Sequence, residues 1–320
     1  MREVAFLRKN AEKWRSFEAL LAGRKTHDPD ELAELYTELT NDLAYAQSHY
    51  PKSKTVLYLN QLTVKVHDSI HKTKKEEYGR LITFWTTELP QLYASKQKEL
   101  LYSFLVFAIA ICIGALSQAN DATFVRVIIG DAYVNMTMSN IENGDPLAVY
   151  KDSRQMDMFF MITINNIRVS FFAFVAGLMT SIGSAYILFQ NGIMVGAFFQ
   201  FFSGYNLLNK ALLVVFIHGT LELSAIVIAG AAGFVLGNSF LFPGTLSRFR
   251  SFSKGAKDGV KMIIGLVPVF IMAGLLESFV TRYTEMPVWL SLAIIVLSAS
   301  FIIYFYILLP WKYKLTSHGN

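Results

Sequence analysis

The chain has 320 residues, of which 53% are hydrophobic and 17% charged, with a net charge of +5 and a single cysteine. Soluble domains carry about 25% charged residues, so this composition excludes a disordered or collagen-like chain and requires a bilayer to absorb the apolar excess. Cys112 stands alone, which excludes an intrachain disulfide and a cysteine-based zinc site.

Charge is concentrated at the start. Residues 1–99 hold 16 Lys+Arg and 14 Asp+Glu, and residues 1–77 read as a cytoplasmic helical domain. The opening stretch MREVAFLRKN is charged throughout and lacks the apolar core of a secretory signal. Asp28, Pro29 and Glu31 form a helix-start signal, with an N-cap, a proline at the first helical position and an acid three residues after the cap. Leu32, Leu35, Leu39, Leu43 and Ala46 then recur at helical spacing up to Pro51. A further helix is expected from Ser53 to Lys75, with Val56, Leu59, Leu62, Val66 and Ile70 on one face. A net charge of +2 without a basic stripe argues against nucleic acid as a partner.

Residues 78–99 mix Phe84, Trp85 and Tyr93 with Arg80, Lys96 and Lys98, the pattern of an amphipathic helix in the membrane interface, with Pro90 permitting a bend. Residues 100–309 then divide into six apolar segments, about 100–119, 159–189, 192–208, 211–237, 260–281 and 288–309, each measured against the roughly 20 residues that cross hydrocarbon. The fold class is therefore an all-α polytopic membrane protein, a six-helix transmembrane bundle with a soluble N-terminal helical domain. The third span is short, and a re-entrant form is the alternative. Gln190-Asn191-Gly192 reads as the tight turn joining the second and third spans.

Charge distribution sets the expected orientation. Loop 238–258 carries Arg248, Arg250, Lys254 and Lys257, and the tail 310–320 carries Lys312 and Lys314. Loop 120–158 holds six acidic residues against Arg126, Lys151 and Arg154. The positive-inside rule places both termini in the cytoplasm and the acidic loop outside. Within that loop one amphipathic helix is expected from Val125, ending in the turn at Asn143-Gly144-Asp145-Pro146 and either resting on the membrane or capping the bundle. Asn135-Met136-Thr137 fits the glycosylation pattern, a match short enough to arise by chance.

Ionisable groups within spans cost roughly 2.5–3.5 kcal/mol each at the bilayer centre and so mark candidate sites. His218 and Glu222 are four residues apart and share one helix face. At 1.5 Å per residue His218 lies about 10 Å, Glu222 about 16 Å and Arg168 about 13 Å from the outer end of their spans, with Asn165 and Asn166 near the level of His218 and Glu277 only about 6 Å in. The expected polar cluster is thus Asn165, Asn166, Arg168, His218, Glu222 and Glu277, with Arg168 placed in depth to neutralise Glu222. It serves either as a hydrogen-bonded lock between helices or as the lining of a pocket for an ion, proton or polar solute. No HExxH, GxSxG or glycine-rich phosphate loop occurs, so no catalytic residue, metal or cofactor is expected.

Small residues mark close helix packing. Asn191, Gly192 and Gly196 form one such face, and Ala229, Gly233 and Gly237 another. Intrachain packing is the ordinary meaning of such faces and homodimerisation the alternative.

The pair Asn165-Asn166 opening a span, Asn191-Gly192 with Gly196, HGTLEL at 218–223 followed by glycines to Gly237, and Glu277 ending the fifth span resemble the stage II sporulation protein M family of integral membrane proteins. Trp14, Leu35-Tyr36, Asp42-Leu43-Ala44 and Leu59-Asn60 are similar to its longer members with a cytoplasmic helical N-terminus. The resemblance implies a prokaryotic inner-membrane protein without catalytic activity. In its sporulation member it implies a scaffold for an envelope or peptidoglycan-remodelling complex. Expected partners are the lipid bilayer, peptidoglycan-processing proteins and a cytoplasmic protein bound through residues 1–99. A transporter or channel built on Arg168, His218 and Glu222 is the alternative function.

Overall fold

The computed structural model describes residues 3–22, 29–71, 79–150 and 154–317. Its contacts divide the chain into two units, Met1–Arg80 and Leu81–Asn320.

In the first unit, α1 (Glu3–Ala22), α2 (Pro29–His49) and α3 (Lys54–His71) enclose Phe6, Trp14, Leu39, Leu43, Ala46, Leu59, Leu62 and Val66. The expected cap Asp28 and the end of the helix read to Lys75 lie outside the described residues. Polar contacts set the register of the three helices. Trp14 Nε1 donates to Asp42 Oδ2 at 2.8 Å, and Lys13 Nζ meets the same oxygen at 2.6 Å. Glu3 accepts from Ser53 and, at 2.8 Å, from Thr55. These two hydroxyls, Ser53 first, hold the Glu3 carboxyl below its ordinary range.

The second unit begins with α4 (Arg80–Thr83) and α5 (Leu89–Ser95), joined by a π-turn at Phe84–Glu88. The interfacial helix expected over 78–99 thus runs without a break from Arg80 to Ser95 but widens in one turn, and Pro90 supplies the reason. Proline has no N–H to give the carbonyl four residues back, so the turn widens and Leu89 N–H reaches Phe84 instead. The Thr86 carbonyl left over accepts from the Tyr313 hydroxyl at 3.3 Å. Leu89 and Tyr93 are fully buried against the bundle.

Six helices follow that are long and apolar enough, among the described residues, to cross a membrane. They are α6 (Gln97–Asn120), α9 (Gln155–Val175) with its 3₁₀ extension to Met179, α10 (Ile182–Gly204), α11 (Leu208–Leu241), α12 (Arg248–Leu275) with a π-turn to Val280, and α13 (Val288–Ile303) continuing through a π-turn into α14 (Leu309–Ser317). Between α6 and α9 lie α7 (Phe124–Ile129) and α8 (Asp131–Glu142). Outward faces are apolar: Phe104, Ile109, Leu116, Phe171, Val296 and Leu297 are all exposed, as a lipid-facing surface demands. The last span repeats the device of α4–α5. Pro310 follows the π-turn Tyr304–Leu308, and the freed Tyr306 carbonyl accepts from Gln97 Nε2 at 3.1 Å. Tyr93 and Tyr306, one near each widened turn, meet edge to face at 4.9 Å.

Two expectations change. First, the second and third spans meet at Thr180-Ser181, both in the left-handed region at φ 58° and 66°, while Gln190-Asn191-Gly192 lies inside α10. The third span is therefore a full helix of 23 residues, about 34 Å long, and neither short nor re-entrant. Second, the outer loop contains two helices, because Gly130 at φ 98° breaks the expected single one. Val125, Val134 and Leu147 then pack on Phe201, Phe202, Ala211 and Val214, so the segment caps the α10–α11 end of the bundle.

The small residues are consumed within the chain, the ordinary meaning of such faces. A Cβ on Gly192 or Gly196 would stand 2.8 Å from the Phe107 carbonyl or 2.1 Å from the Ile111 carbonyl of α6. One on Gly233 would lie 2.0 Å from Ser184 Oγ and 2.6 Å from the Ala173 carbonyl, and one on Gly237 2.2 Å from Ser181 Oγ. Ala229 is fully buried. The faces on which the homodimer alternative rested are covered by α6, α9 and α10. From Ala225 to Gly237 every residue of α11 is buried, which makes this helix the post around which the others pack.

Candidate functional site

The first half of α11 differs from its second half. His218 and Glu222 project from successive turns toward the end of α12, where a third π-turn spans Leu276–Val280 and carries Glu277. No proline causes this turn. Thr281 N–H reaches back to the Leu276 carbonyl at 2.8 Å, and the extra residue rotates Glu277 into the bundle. Such single-turn expansions recur at functional sites.

The side chains converge. One ligand atom from each of His218, Glu222 and Glu277 lies within 4.8 Å of the other two. His218 Nε2 stands 3.9 Å from Glu277 Oε1, and an oxygen of Glu222 and one of Glu277 lie within 4.8 Å of each other. His218 is 4% exposed. Its Nδ1 lies 3.0 Å from Thr281 Oγ1, and Thr281 Oγ1 donates to the Leu276 carbonyl at 3.2 Å. With the hydroxyl proton committed there, the oxygen accepts from Nδ1–H, and this assigns the tautomer in which Nε2 is the acceptor nitrogen facing Glu277.

From α9, Asn166 Nδ2 donates to Glu222 Oε1. Arg168 does not join the cluster. Residues two apart on a helix point about 200° apart, so when Asn166 faces Glu222, Arg168 faces away. It is exposed, with its guanidinium over the Phe172 ring at 5.5 Å from the centroid. Asn165 is likewise exposed on the flank of α9. The expected neutralisation of Glu222 by Arg168 is thus replaced by an amide contact. Lys210, near the start of α11, pairs with Glu285 at 3.2 Å.

Two participants carried no sequence signal beyond their identity. Thr281 read only as the end of a span, and Tyr133 as part of the outer loop. Burial pushes the Tyr133 hydroxyl above its ordinary value and the Thr137 hydroxyl pulls it back, while the negative charge of Glu277 adds to the upward push. Nearby hydroxyls of Thr163 and Ser278 are buried without a hydrogen-bond partner among the described residues. The environment is polar, enclosed and rich in oxygen.

Chemically the site is a pair of neighbouring carboxyl groups with an imidazole acceptor. Two carboxylates at this separation in an apolar bundle repel each other strongly and call for a shared proton or a cation. Of the expected hydrogen-bonded cluster, Asn166, His218, Glu222 and Glu277 come together across three helices, without the opposite charge that Arg168 was expected to bring.

Two family models match the chain. A domain of unknown function, DUF8413, matches residues 4–72, which fall within the N-terminal unit. The model described as Stage II sporulation protein M matches residues 103–282, from the first span through the π-turn that carries Glu277. Comparisons with curated proteins and with solved structures returned no match. With its match covering more than half of the 320 residues, the chain belongs to the stage II sporulation protein M family of membrane proteins.

Proposed function

We propose that the protein is a non-enzymatic membrane scaffold that gathers partners on both sides of a prokaryotic inner membrane. The observation that carries this reading is the solid packing of α11, buried on every face from Ala225 to Gly237. Backbone-close contacts at Gly233 and Gly237 leave no width for an aqueous path along that half of the helix. A packed bundle joined to a separately cored helical unit suits a platform better than a pore. The N-terminal unit would engage a cytoplasmic partner, and α7–α8 would engage envelope or peptidoglycan-processing proteins, the partners that family membership suggests. Basic residues at Arg248, Arg250, Lys254, Lys257, Lys312 and Lys314 support cytoplasmic termini, and an even number of spans keeps both ends on one side.

The test is in-cell photocrosslinking from exposed positions on each side, Leu57 in α3 and Val127 in α7. Discrete, different adducts at the two positions are expected, and protein lacking residues 1–80 that still inserts should keep the adducts at Val127. Absence of adducts at both positions would overturn the scaffold. A second reading, passage of a proton or cation, is favoured by the like-charged Glu222–Glu277 pair. It requires a flux in proteoliposomes that Glu222→Gln abolishes while the protein remains monodisperse.

A further inference from the structure

We infer that His218, Glu222 and Glu277 bind one divalent first-row transition-metal ion, a site that joins α11 to the end of α12 within the bundle and is held in shape by Asn166 and Thr281. The inference stands whether the protein is a scaffold or a transporter.

Four observations converge on it. The donor set is one imidazole nitrogen and two carboxylates, the mixture that suits Zn²⁺, Mn²⁺ or Fe²⁺; Mg²⁺ and Ca²⁺ prefer oxygen alone. The spacing fits: bonds of roughly 2.0–2.2 Å put two ligand atoms about 3–3.5 Å apart on one ion. The present limit of 4.8 Å therefore closes with rotamer adjustments of about an ångström. Charge fits as well. A divalent ion with two carboxylates and a neutral imidazole sums to zero, the one total that an apolar bundle tolerates without further counter-charge, and Arg168 is not there to supply another. Finally, the surrounding contacts are those that ligands need. Thr281 Oγ1 accepts from His218 Nδ1–H at 3.0 Å, which fixes the tautomer and turns Nε2 toward Glu277. Asn166 Nδ2 binds one oxygen of Glu222 and leaves its other oxygen for the ion. Outer contacts of this kind orient ligands and strengthen them.

The nearest alternative is a proton shared by the two carboxyl groups, which needs neither the imidazole nor a defined metal stoichiometry. Tag-free full-length protein, purified in detergent and stripped with EDTA, separates the two. After dialysis against Zn²⁺ or Mn²⁺ in excess Mg²⁺ and Ca²⁺, elemental analysis should find one transition-metal ion per chain. His218→Ala and Glu277→Gln should each abolish retention, and Asn166→Ala should weaken it by about 10- to 100-fold. Arg168→Gln should leave it unchanged.

Co²⁺ provides a readout independent of the variants. A visible d–d spectrum of a low-symmetry nitrogen and oxygen site, displaced by one equivalent of Zn²⁺, is expected from the parent protein. A Co²⁺ spectrum indistinguishable from the aqueous ion would overturn the inference. So would metal retention that survives in monodisperse His218→Ala and Glu277→Gln proteins. Should those variants fail to fold, the parent spectrum decides alone.

Discussion

Along α11 the chain uses two different means of choosing its helical neighbours. From Ala225 to Gly237 the helix is apolar, small-sided and buried all round, and its partners are selected by shape, because backbones approach to distances that only hydrogen side chains permit. From His218 to Glu222 the same helix carries an imidazole and a carboxylate, and its partners are selected by polarity: Asn166, Glu277 and Thr281. Shape packing is complete in itself. The polar half assembles like charges and is completed by something that binds there. The contrast with the opposite end of the bundle makes the same point, since Lys261–Glu88 at 2.9 Å and Lys96–Asp258 at 3.7 Å are pairs of opposite sign that need no third party.

The sharpest way to break the shape half is Gly233→Val. Its new side chain would collide with the Ala173 carbonyl and Ser184, neither of which can move without shifting α9 or α10, so a loss of at least about 3 kcal/mol or failure to fold is expected. Thermal unfolding followed by circular dichroism in detergent measures it. Gly204→Ala, where nothing lies within 4 Å, is the control that should behave as the parent. A mild effect at Gly233 would show that the close approach is not what fixes the bundle.

The polar half should respond less. Asn166→Ala removes the donor to Glu222 and leaves a buried carboxylate oxygen short of a partner, at a cost of about 1–3 kcal/mol in the same assay. Arg168→Ala should cost little, because the guanidinium rests on Phe172 at an exposed face. Equal effects at the two positions would contradict the assignment of Asn166, rather than Arg168, to Glu222. At the far end Lys261→Ala should matter least of these, below about 1 kcal/mol and less still in high salt, since both partners of its ion pair are partly exposed.

Why some of this was legible in the sequence and some was not follows from the same two means. Hydropathy reported six spans because lipid imposes composition on every outward face. It could not report that Thr180-Ser181 makes the reversal, since neither residue is a customary carrier of positive φ. Asn191-Gly192 mimicked a turn because glycine there serves the approach of α6 instead. His218 and Glu222 were visible as neighbours through their spacing of four. Glu277 was visible as a titratable residue but sat too shallow by linear depth, since a π-turn without proline leaves no mark in the sequence. Depth favoured Arg168 over Asn166 as the partner of Glu222, and the structure reverses that choice. Only the azimuth of α9 separates two residues that point in opposite directions.

The smallest expected effect lies in the N-terminal unit, where a half-buried carboxylate provides a third kind of selection, by hydrogen bonds near the water boundary. Glu3 on α1 accepts from Ser53 and Thr55 at the start of α3, and these contacts hold its carboxyl below the ordinary value. A lowered native value means that the unfolded state binds the proton more readily, so the contribution is present above the unfolded value near 4.5 and is lost as pH falls through the native one. Protection of the α1 and α3 amides, taken relative to the intrinsic exchange rate at each pH, should therefore fall on acidification below about pH 4.5, and Glu3→Gln should flatten that dependence. Because Glu3 is solvent-accessible, the change should be confined to the local opening of α1 from α3 and leave protection in α11 untouched. If α11 amides moved in step with α1, the pH effect would belong to the whole chain and not to this one carboxylate.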